Sequence, residues 1–514
     1  MLSGVLTGRA LDARPHVCAE EETDSLNEQK RRNYDMDNLC TKSAIELASM
    51  IRLRQATSTE VIEAHLARIA EVNPVVNAVT STLADEARAA ATLVDRALAA
   101  GAALGPLAGV PFTIKSNIDV AGSPTTWGVA ALAEQIAGVD APMVARLREA
   151  GAIPLARTNL PDFAFRWDTV SGVAGRTRNP WDPTRTAGGS SGGEAAALAS
   201  GMTPLGLGND LGGSLRVPSQ MCGTSALRPS RGRVANSATT QPWPEPLAIQ
   251  MTNCQGPMAR RVADLRLVLG LISAPDARDP RWVPVPLQGQ VRNRPVRVAV
   301  VRNPVGAGID PHVRAGIDRA ADWLADAGYD VVDAEPPQID EVAAAWFDAM
   351  WADVGAAWPG MQPIAGTDEA EFVRACLAQG VFKPIDQAAQ RATWVALHQL
   401  GAAWTQFAQD YPVALAPVCC EQAWRIDEDV SRIAEIAMAM RMVVSVNILG
   451  LPSCAVPVGC DEGLPQGVQL IGARFREDLL LDAAQALEDR APLLTPIQPR
   501  VARQVQQPVG LRRP

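Results

Sequence analysis

The chain has 514 residues, of which 47% are hydrophobic and 20% charged, and its formal net charge is −9. This length and composition suit one large enzyme core or two to three smaller domains, and exclude a chain that is disordered overall. The acidic balance argues against nucleic acid as the main partner. The four histidines lie far apart and no HExxH or paired CxxC motif occurs, so we expect neither a metal site nor a metal cofactor.

Cysteine usage, the N-terminus and the longest uncharged stretch indicate where the protein is expected to be located. Nine cysteines, an odd number scattered from Cys18 to Cys460, favour reduced thiols in a cytoplasm over a disulfide framework. The N-terminus lacks the basic and apolar regions of a signal peptide. The stretch from Met442 to Cys460 reaches the length of a membrane span, but Pro452 and Pro457 interrupt it, which predicts a helix end and a strand in a soluble core.

The N-terminal part of the chain predicts a tail followed by helices. Residues 1–38 are polar and charge-rich, which is typical of a flexible or loosely docked segment. Helical spacing begins near Thr41. Thr57 and Glu60 have the spacing of a capping box that opens a second helix, and a third helix is expected to end at Gly101.

The remainder alternates between strand and helix patterns. From Pro106 to Pro257, short apolar strands alternate with Gly- and Ser-rich turns and Ala-rich helices, and a further β-α-β unit follows with Asp310 as the N-cap of its helix. Residues 340–445 are predicted to be a mostly helical region that shapes the substrate site. They hold six of the twelve tryptophans; core packing explains most of these, and one or two are expected to line a pocket. Residues 496–514 are predicted to be a loose tail.

Lysine usage singles out one residue for proton transfer. Only Lys30, Lys42, Lys115 and Lys383 are lysines among 47 basic residues, and Lys115 directly follows an apolar strand in GVPFTIKSNIDV. Burial there would lower the pKa of the amine, and a lysine can then lose its proton whereas an arginine cannot. The alternative interpretation is a buried structural lysine whose ammonium is held by carbonyl groups.

Two glycine- and serine-rich segments contain further candidates. TAGGSSGGE precedes an Ala-rich helix and has the composition of a phosphate-binding loop, but it lacks the Walker lysine. In DLGGSLRVP, the two glycines before Ser214 allow backbone N–H groups to converge on one point, as an oxyanion hole requires. No G-x-S-x-G elbow and no nearby histidine accompany Ser214, so a Ser-His-Asp hydrolase is the weaker interpretation.

Taken together, these segments resemble the amidase signature family. The core of the resemblance runs from Gly188 to Pro229, where GGSSGG, GNDLGGSLRVP, CG and LRP stand in the family's order and spacing. Further matches include PLAGVPFTIKSNIDVAGSPTTWG, GAIPLARTNLPDF and GLPQGVQLIG. The resemblance implies an α/β fold with a mixed central β-sheet sandwiched between α-helices, over a single domain at residues 39–495.

The resemblance also implies a Ser–cis-Ser–Lys catalytic set that works through an acyl-enzyme and needs no cofactor. Ser214 corresponds to the nucleophile, Ser190 to a serine after a cis peptide bond, and Lys115 to the base. The oxyanion-hole N–H groups correspond to Leu211, Gly212, Gly213 and Ser214. Asp210 and Arg216 flank the nucleophile and are expected to pair with each other as structural residues.

Substrate contacts are predicted from the same segments. The candidates are Ser191, Gly189, Phe163, Phe165 and Trp127. Where many relatives have a small EFAMG-like run, residues 162–167 read DFAFRW, and these bulky side chains are expected to reshape the acyl pocket.

The sequence therefore predicts a hydrolase of an amide C–N bond, with an aryl amide or a carbamate among its candidate substrates. The expected partner is a small amide, ester or carbamate; a homodimer is left open, and neither nucleic acid nor a membrane is expected. One alternative is a glutaminase-type amidotransferase subunit, which would need partner subunits. Another is a non-catalytic binding protein of the same fold, against which the intact Lys115, Ser190 and Ser214 argue.

Overall fold

The computed structural model describes residues 38–241, 244–290, 295–304 and 308–501. The predicted N-terminal segment, apart from Asn38, therefore lies outside the described residues. The helices there are, in chain order, α1 (Ala44–Arg52), α2 (Ser58–Val76), α3 (Ala84–Ala99), α4 (Pro142–Glu149), α5 (Gly192–Ala199), α6 (Arg216–Cys222), α7 (Leu247–Thr252), α8 (Val262–Ile272), α9 (Pro311–Asp326), α10 (Ile339–Met361), α11 (Thr367–Ala378), α12 (Gln387–Asp410), α13 (Glu428–Ser431), α14 (Ile433–Ala439), α15 (Arg441–Ile448) and α16 (Glu477–Glu488).

The strands in the same ranges are β1 (Val79–Thr82), β2 (Pro111–Lys115), β3 (Ile153–Thr158), β4 (Val170–Ser171), β5 (Gly175–Arg176), β6 (Leu205–Asp210), β7 (Ser225–Arg228), β8 (Cys254–Ala259), β9 (Arg297–Val300), β10 (Asp330–Asp333), β11 (Val413–Pro417), β12 (Ser453–Asp461) and β13 (Leu464–Gly472). All but β4 and β5, which pair with each other, form one 11-stranded sheet over the described residues, in the order β1-β3-β2-β6-β8-β7-β12-β13-β11-β9-β10.

The sheet is mixed, as the fold prediction requires. Strands β3, β2 and β6 run parallel at one end, and β11, β9 and β10 run parallel at the other. Antiparallel pairs join the two ends through β8, β7, β12 and β13. The predicted helix end and strand between Met442 and Cys460 are confirmed as α15 and β12.

Alternating side chains on the strands show that both faces of the sheet are covered. Val298 and Val300 of β9 belong to one buried cluster, with side chains of α8, α9 and α16, whereas Ala299 belongs to another with α10, α14 and α15. In β11, Leu415 and Ala414 divide between the same two clusters. Successive side chains of a strand point to opposite faces, so the sheet lies between two layers of helices.

Local signals for helix ends are confirmed. The Thr57 hydroxyl accepts from Glu60 N at 3.0 Å, and the Glu60 carboxylate accepts from Thr57 N at 2.8 Å, which completes the capping box of α2. The Asp310 carboxylate accepts from His312 N at 2.8 Å at the start of α9. Gly101 follows α3 with a φ of 77°, a left-handed conformation that glycine adopts without strain.

The region predicted to be mostly helical, residues 340–445, also contains a strand that the sequence pattern does not predict. Strand β11 lies in the middle of the sheet between β13 and β9, although it is only five residues long and follows the long helix α12. All five residues are buried. A short apolar run of this kind has no periodicity that separates it from a buried helix.

The predicted loose tail from residue 496 is wrong for residues 497–500. Ile497 N donates to Ala199 O at 2.8 Å, and Arg500 N donates to Pro180 O at 2.9 Å. The Arg68 guanidinium also donates to the Gln498 side chain at 2.8 Å. Residues 497–500 pack against the rest of the protein because distant segments supply hydrogen-bond acceptors and donors, and no local sequence pattern predicts these contacts. Among the helices of the described ranges, none is both long and apolar enough to cross a membrane.

Candidate active site

The site lies where parallel strands β2 and β6 end on the same edge of the sheet. Ile114 pairs with Leu207, so Lys115 at the end of β2 comes level with the last residues of β6. Lys115 Nζ lies 2.7 Å from Ser190 Oγ and 2.8 Å from Asn209 Oδ1. The Asn209 amide donates to Asn117 at 3.1 Å, which turns its oxygen towards the lysine. Parallel topology therefore joins segments that lie far apart in the sequence.

The environment of Lys115 favours its neutral form. The side chain is completely buried, and burial lowers the pKa of its amine to about 7, against the opposing attraction of Asp210 and Glu194. Roughly half of the molecules then hold a neutral amine at pH 7. The predicted lowering of this pKa is confirmed, and the cause is the desolvation that a fully buried strand imposes.

Glu194 is a second buried ionisable group close to the lysine. Burial raises the pKa of its carboxyl to about 7, although Thr113 and Thr158 donate to it and Lys115 attracts it. The two groups favour each other's charged forms, so the titration of Lys115 depends on the charge of Glu194.

Ser190 lies two residues before the start of helix α5, whose N-cap is Ser191. The Gly189–Ser190 peptide bond is cis, as predicted. The Ser190 side chain is 1% exposed, and its hydroxyl accepts from Lys115. Gly189 packs so closely that a Cβ there would lie 2.4 Å from Arg166 O, which explains why glycine occupies this position.

Ser214 lies in the turn between β6 and α6. It is 5% exposed and lines a pocket. Ser191 N donates to Ser214 O at 3.2 Å, which ties the two serine segments together. Over the described residues, no hydrogen bond joins the hydroxyls of Ser190 and Ser214.

Asp210 organises the turn that carries Ser214. Its carboxylate accepts from Gly213 N at 2.8 Å, from Leu215 N at 3.2 Å and from Asn447 Nδ2 at 2.8 Å. Arg216 donates to both carboxylate oxygens, at 3.0 and 3.1 Å, which confirms the predicted pair. Burial alone would raise the pKa of Asp210, but Arg216 and the other donors hold it well below its ordinary value.

Backbone N–H groups of this turn differ in their availability. The Gly213 N–H, one of the four predicted oxyanion donors, is bound to Asp210. The N–H groups of Leu211, Gly212 and Ser214 have no acceptor within the part of the chain that the structure describes. Three of the four candidate donors therefore remain available for an oxyanion.

A pocket with aromatic walls opens beside Ser214, and we call it the aromatic pocket. Its aromatic rings are those of Phe165, Trp167, Trp346, Phe347, Phe372 and Phe382. Arg166 also lines it, but its guanidinium is bound to Asp429 at 2.8 and 2.9 Å. The polar wall is therefore charge-compensated, and the pocket suits an uncharged apolar or aromatic group.

A second pocket opens beside Ser190 and encloses about 720 Å³ of empty space, part of it open to solvent. Its apolar wall includes Trp127, Phe163 and Phe165, three of the five predicted substrate-contact residues. The other two, Gly189 and Ser191, line neither pocket, because both are buried in the packing around the cis peptide bond. The second pocket also has polar groups, at Asn117, Asn209, Gln241, Glu245 and Asn253.

Several residues at the site escaped the sequence interpretation. Asn209 lies within the recognised GNDLGGSLRVP segment, so its position beside the Ser214 turn was a usable signal. Asn447 and Trp346 contact this turn from distant segments, and their local sequences contain no sign of that contact. Trp167, in the DFAFRW segment that is predicted to reshape the acyl pocket, donates from its indole Nε1 to Gly212 O at 2.8 Å.

Comparison with known proteins bears on what this arrangement does. A family model described as Amidase matches residues 60–481. The chain belongs to the amidase family. An indoleacetamide hydrolase of Bradyrhizobium diazoefficiens is 40% identical over 475 residues, which cover 88% of this chain and 87% of that protein. One subunit of the glutamyl-tRNA(Gln) amidotransferase of Acidothermus cellulolyticus is 34% identical over 88% of this chain and 95% of that one.

The solved structure of a bacterial aryl acylamidase of the amidase signature family is also similar. It matches with a TM-score of 0.76 and 26% identity, over 88% of this chain and 96% of that one. The predicted family, fold class and enzyme class are confirmed: this amidase is a hydrolase of amide C–N bonds.

Proposed function

We propose that this amidase uses Ser214 as nucleophile, Ser190 as proton relay and Lys115 as base. The observation that carries the proposal is the 2.7 Å contact between Ser190 Oγ and a completely buried lysine whose pKa is about 7. A general base works best when its pKa lies near the working pH. A hydroxyl held at hydrogen-bond distance from such a base can pass a proton in either direction.

The acylation step follows from these positions. Ser214 Oγ bonds to the carbonyl carbon, its proton passes to Ser190 Oγ, and the Ser190 proton passes to Lys115 Nζ. The carbonyl electron pair moves to oxygen, where the N–H groups of Leu211, Gly212 and Ser214 stabilise the charge.

Collapse of the tetrahedral intermediate reverses the proton path. The Lys115 proton returns through Ser190 to the amide nitrogen, the C–N bond breaks, and the amine leaves an ester on Ser214. Water then attacks that ester along the same path and releases the carboxylic acid. The contact between the serine hydroxyls must close with substrate bound, as is common for catalytic hydrogen bonds in unliganded enzymes.

For the substrate, we propose the amide of an arylacetic acid, with indoleacetamide as the first compound to test. The aromatic pocket beside Ser214 is lined by six rings and has no uncompensated charge, which supports an aromatic acyl group. The relative that is 40% identical is named for indoleacetamide hydrolysis. Because Ser190 would protonate the leaving nitrogen, the second pocket at Ser190 is assigned to substituents on that nitrogen.

A glutaminase role receives less support from the same pocket. Glutamine carries a free ammonium and a carboxylate, and each needs a charged or strongly polar partner when buried. Among the described residues that line the aromatic pocket, the one cation is Arg166, and it is already bound to Asp429. Hydrolysis of an arylacetamide by the purified chain, without ATP or partner subunits, would favour the arylacetamide hydrolase over the glutaminase. A cytoplasmic location and a homodimer stay predictions.

The test is turnover by the purified full-length chain on a panel that varies one side of the amide at a time. We expect ammonia release from indoleacetamide and from phenylacetamide, slower release from acetamide, and none from glutamine. Anilides and carbamates of the same acids probe the second pocket. Ser214→Ala should abolish turnover while the surface variant Ser431→Ala retains it. Preferred hydrolysis of glutamine, or turnover by Ser214→Ala, would contradict the proposal.

A further inference from the structure

Trp346 of α10 contacts the nucleophile turn from a segment 135 residues away. It is 6% exposed, and its indole Nε1 donates to Leu211 O at 3.0 Å. The ring is held in place by Trp167, stacked at 6.2 Å between centroids, and by Phe347, edge-on at 5.0 Å. Trp346 Nε1 is the only donor to Leu211 O among the described residues.

This bond determines the direction of the next N–H group. The C=O and N–H of one trans peptide unit point in opposite directions because the unit is planar. Leu211 O points to Trp346, so the N–H of Gly212, which shares that peptide unit, points away from the indole. It is one of the three N–H groups without an acceptor among the described residues.

The two other free N–H groups are oriented in the same way but by different partners. Asp210 O accepts from Arg228 at 2.8 Å and from Asn447 at 3.0 Å, which directs the Leu211 N–H. Gly213 O accepts from Val217 N at 2.7 Å, which directs the Ser214 N–H. Each available donor thus depends on an anchor at its own carbonyl, and for Gly212 that anchor is Trp346.

Gly212 makes this anchor necessary. A residue without a Cβ allows its peptide unit to rotate at low cost, and a rotated unit would aim Leu211 O rather than the Gly212 N–H at the reacting carbonyl. The ring of Trp346 also leaves no room for a side chain at position 212, because a Cβ at Gly212 would lie 2.6 Å from Trp346 Cζ2.

We propose that Trp346 is a positioning residue for the oxyanion hole, acting through the orientation of the Leu211–Gly212 peptide unit. The inference rests on the proposed acylation at Ser214. It assigns to Trp346 an electrostatic effect on the transition state in addition to its place in the wall of the aromatic pocket.

The test is Trp346→Phe, which keeps an aromatic ring but removes the N–H donor. Loss of one oxyanion donor costs about 10²- to 10³-fold in kcat, and a partly misoriented one should cost at least about tenfold. KM should change less than about threefold. Because the oxyanion is the same in every amide, the loss in kcat should be equal for phenylacetamide and for acetamide, which does not fill the pocket.

The matched control is Trp404→Phe. Trp404 is also buried, at 4% exposed, and its Nε1 donates to Pro337 O at 2.7 Å, away from both pockets. This variant should keep the wild-type kcat. Thermal unfolding of both variants checks that each is folded. If Trp346→Phe does not fold, incorporation of 3-benzothienylalanine at position 346 replaces the N–H by sulfur in an almost identical shape.

The outcomes separate the inference from the proposed mechanism. A loss in kcat that appears with phenylacetamide but not with acetamide would make Trp346 a pocket wall only and would overturn the inference. An unchanged kcat in a folded variant would do the same. Turnover by Ser214→Ala would instead overturn the nucleophile assignment, whatever Trp346→Phe shows.

Discussion

Replacement of Lys115 by arginine tests whether this residue works as a base or as a fixed positive charge. Lysine at this site has a pKa of about 7, so at pH 8 roughly nine-tenths of the molecules hold a neutral amine. The pKa of arginine lies far above the working range, so at the same pH essentially every guanidinium stays charged. Arginine also has donors only, and cannot accept the Ser190 proton.

The expected magnitude follows from the two roles of the lysine. General base catalysis contributes about 10²- to 10⁴-fold, and Lys115 is proposed both to take a proton in acylation and to return it to the leaving nitrogen. We therefore expect Lys115→Arg to lower kcat/KM for phenylacetamide by at least about 10³-fold, which corresponds to about 4 kcal/mol. The loss should be smaller for an activated aryl ester, whose leaving group needs no proton.

The assay is ammonia release across pH 5.5 to 9.5, with thermal unfolding as the check on folding. In the wild type, kcat/KM should rise as the pH passes about 7, because the base must lose its proton, and this rise should be absent in the variant. Lys383→Arg, at an exposed lysine, is the control and should behave as wild type. Lys115→Met, which keeps the length of the side chain without charge, should be equally impaired and covers the case in which the larger arginine does not fit. A folded Lys115→Arg enzyme with more than about a tenth of the wild-type kcat/KM would refute the reasoning.

Four further outcomes are expected. Glu194→Gln removes a negative charge that raises the pKa of Lys115, so the acid limb of the kcat/KM profile should move to lower pH; a shift upwards would contradict the coupling. Asp210→Asn leaves the buried Arg216 without its counter-charge and should lower the free energy of unfolding by about 3–5 kcal/mol in urea titrations. EDTA should leave ammonia release unchanged, because the proposed base is an amine rather than a metal-bound water; loss with recovery on added zinc would contradict this. Truncation of residues 1–38 should leave folding and most activity intact, as measured by unfolding midpoint and kcat/KM, because the segment has low hydrophobicity and no periodicity.

The residues that are proposed as the catalytic set, Lys115, Ser190 and Ser214, could be selected from the sequence because they lie in short motifs with a fixed order. Lys115 ends an apolar run that is typical of a buried segment, and burial of a lysine lowers its pKa whichever element carries it. The Thr57 capping box and the Asp310 N-cap are likewise local, since each involves residues two or three positions apart.

Other properties of the site depend on which distant segments meet. The hydrogen bond from Asn447 to Asp210, and the burial of Ser191 away from both pockets, depend on how the turn packs against other elements. Strand β11 could not be recognised from five apolar residues, because only its place between β13 and β9 makes it a strand. The docking of residues 497–500 depends on acceptors at Ala199 and Pro180.

The sequence by itself therefore determined the family and the layered fold class, and it selected the lysine and the two serines that are proposed as the catalytic set, because periodicity and motif spacing are properties of neighbouring residues. Only the tertiary structure decided how many N–H groups are available to an oxyanion, what anchors them and where the apolar walls lie. Trp346 illustrates the physical reason. A hydrogen bond between residues 135 positions apart exists only because the sheet and its helical layer bring α10 onto the turn after β6, and no local pattern encodes that meeting.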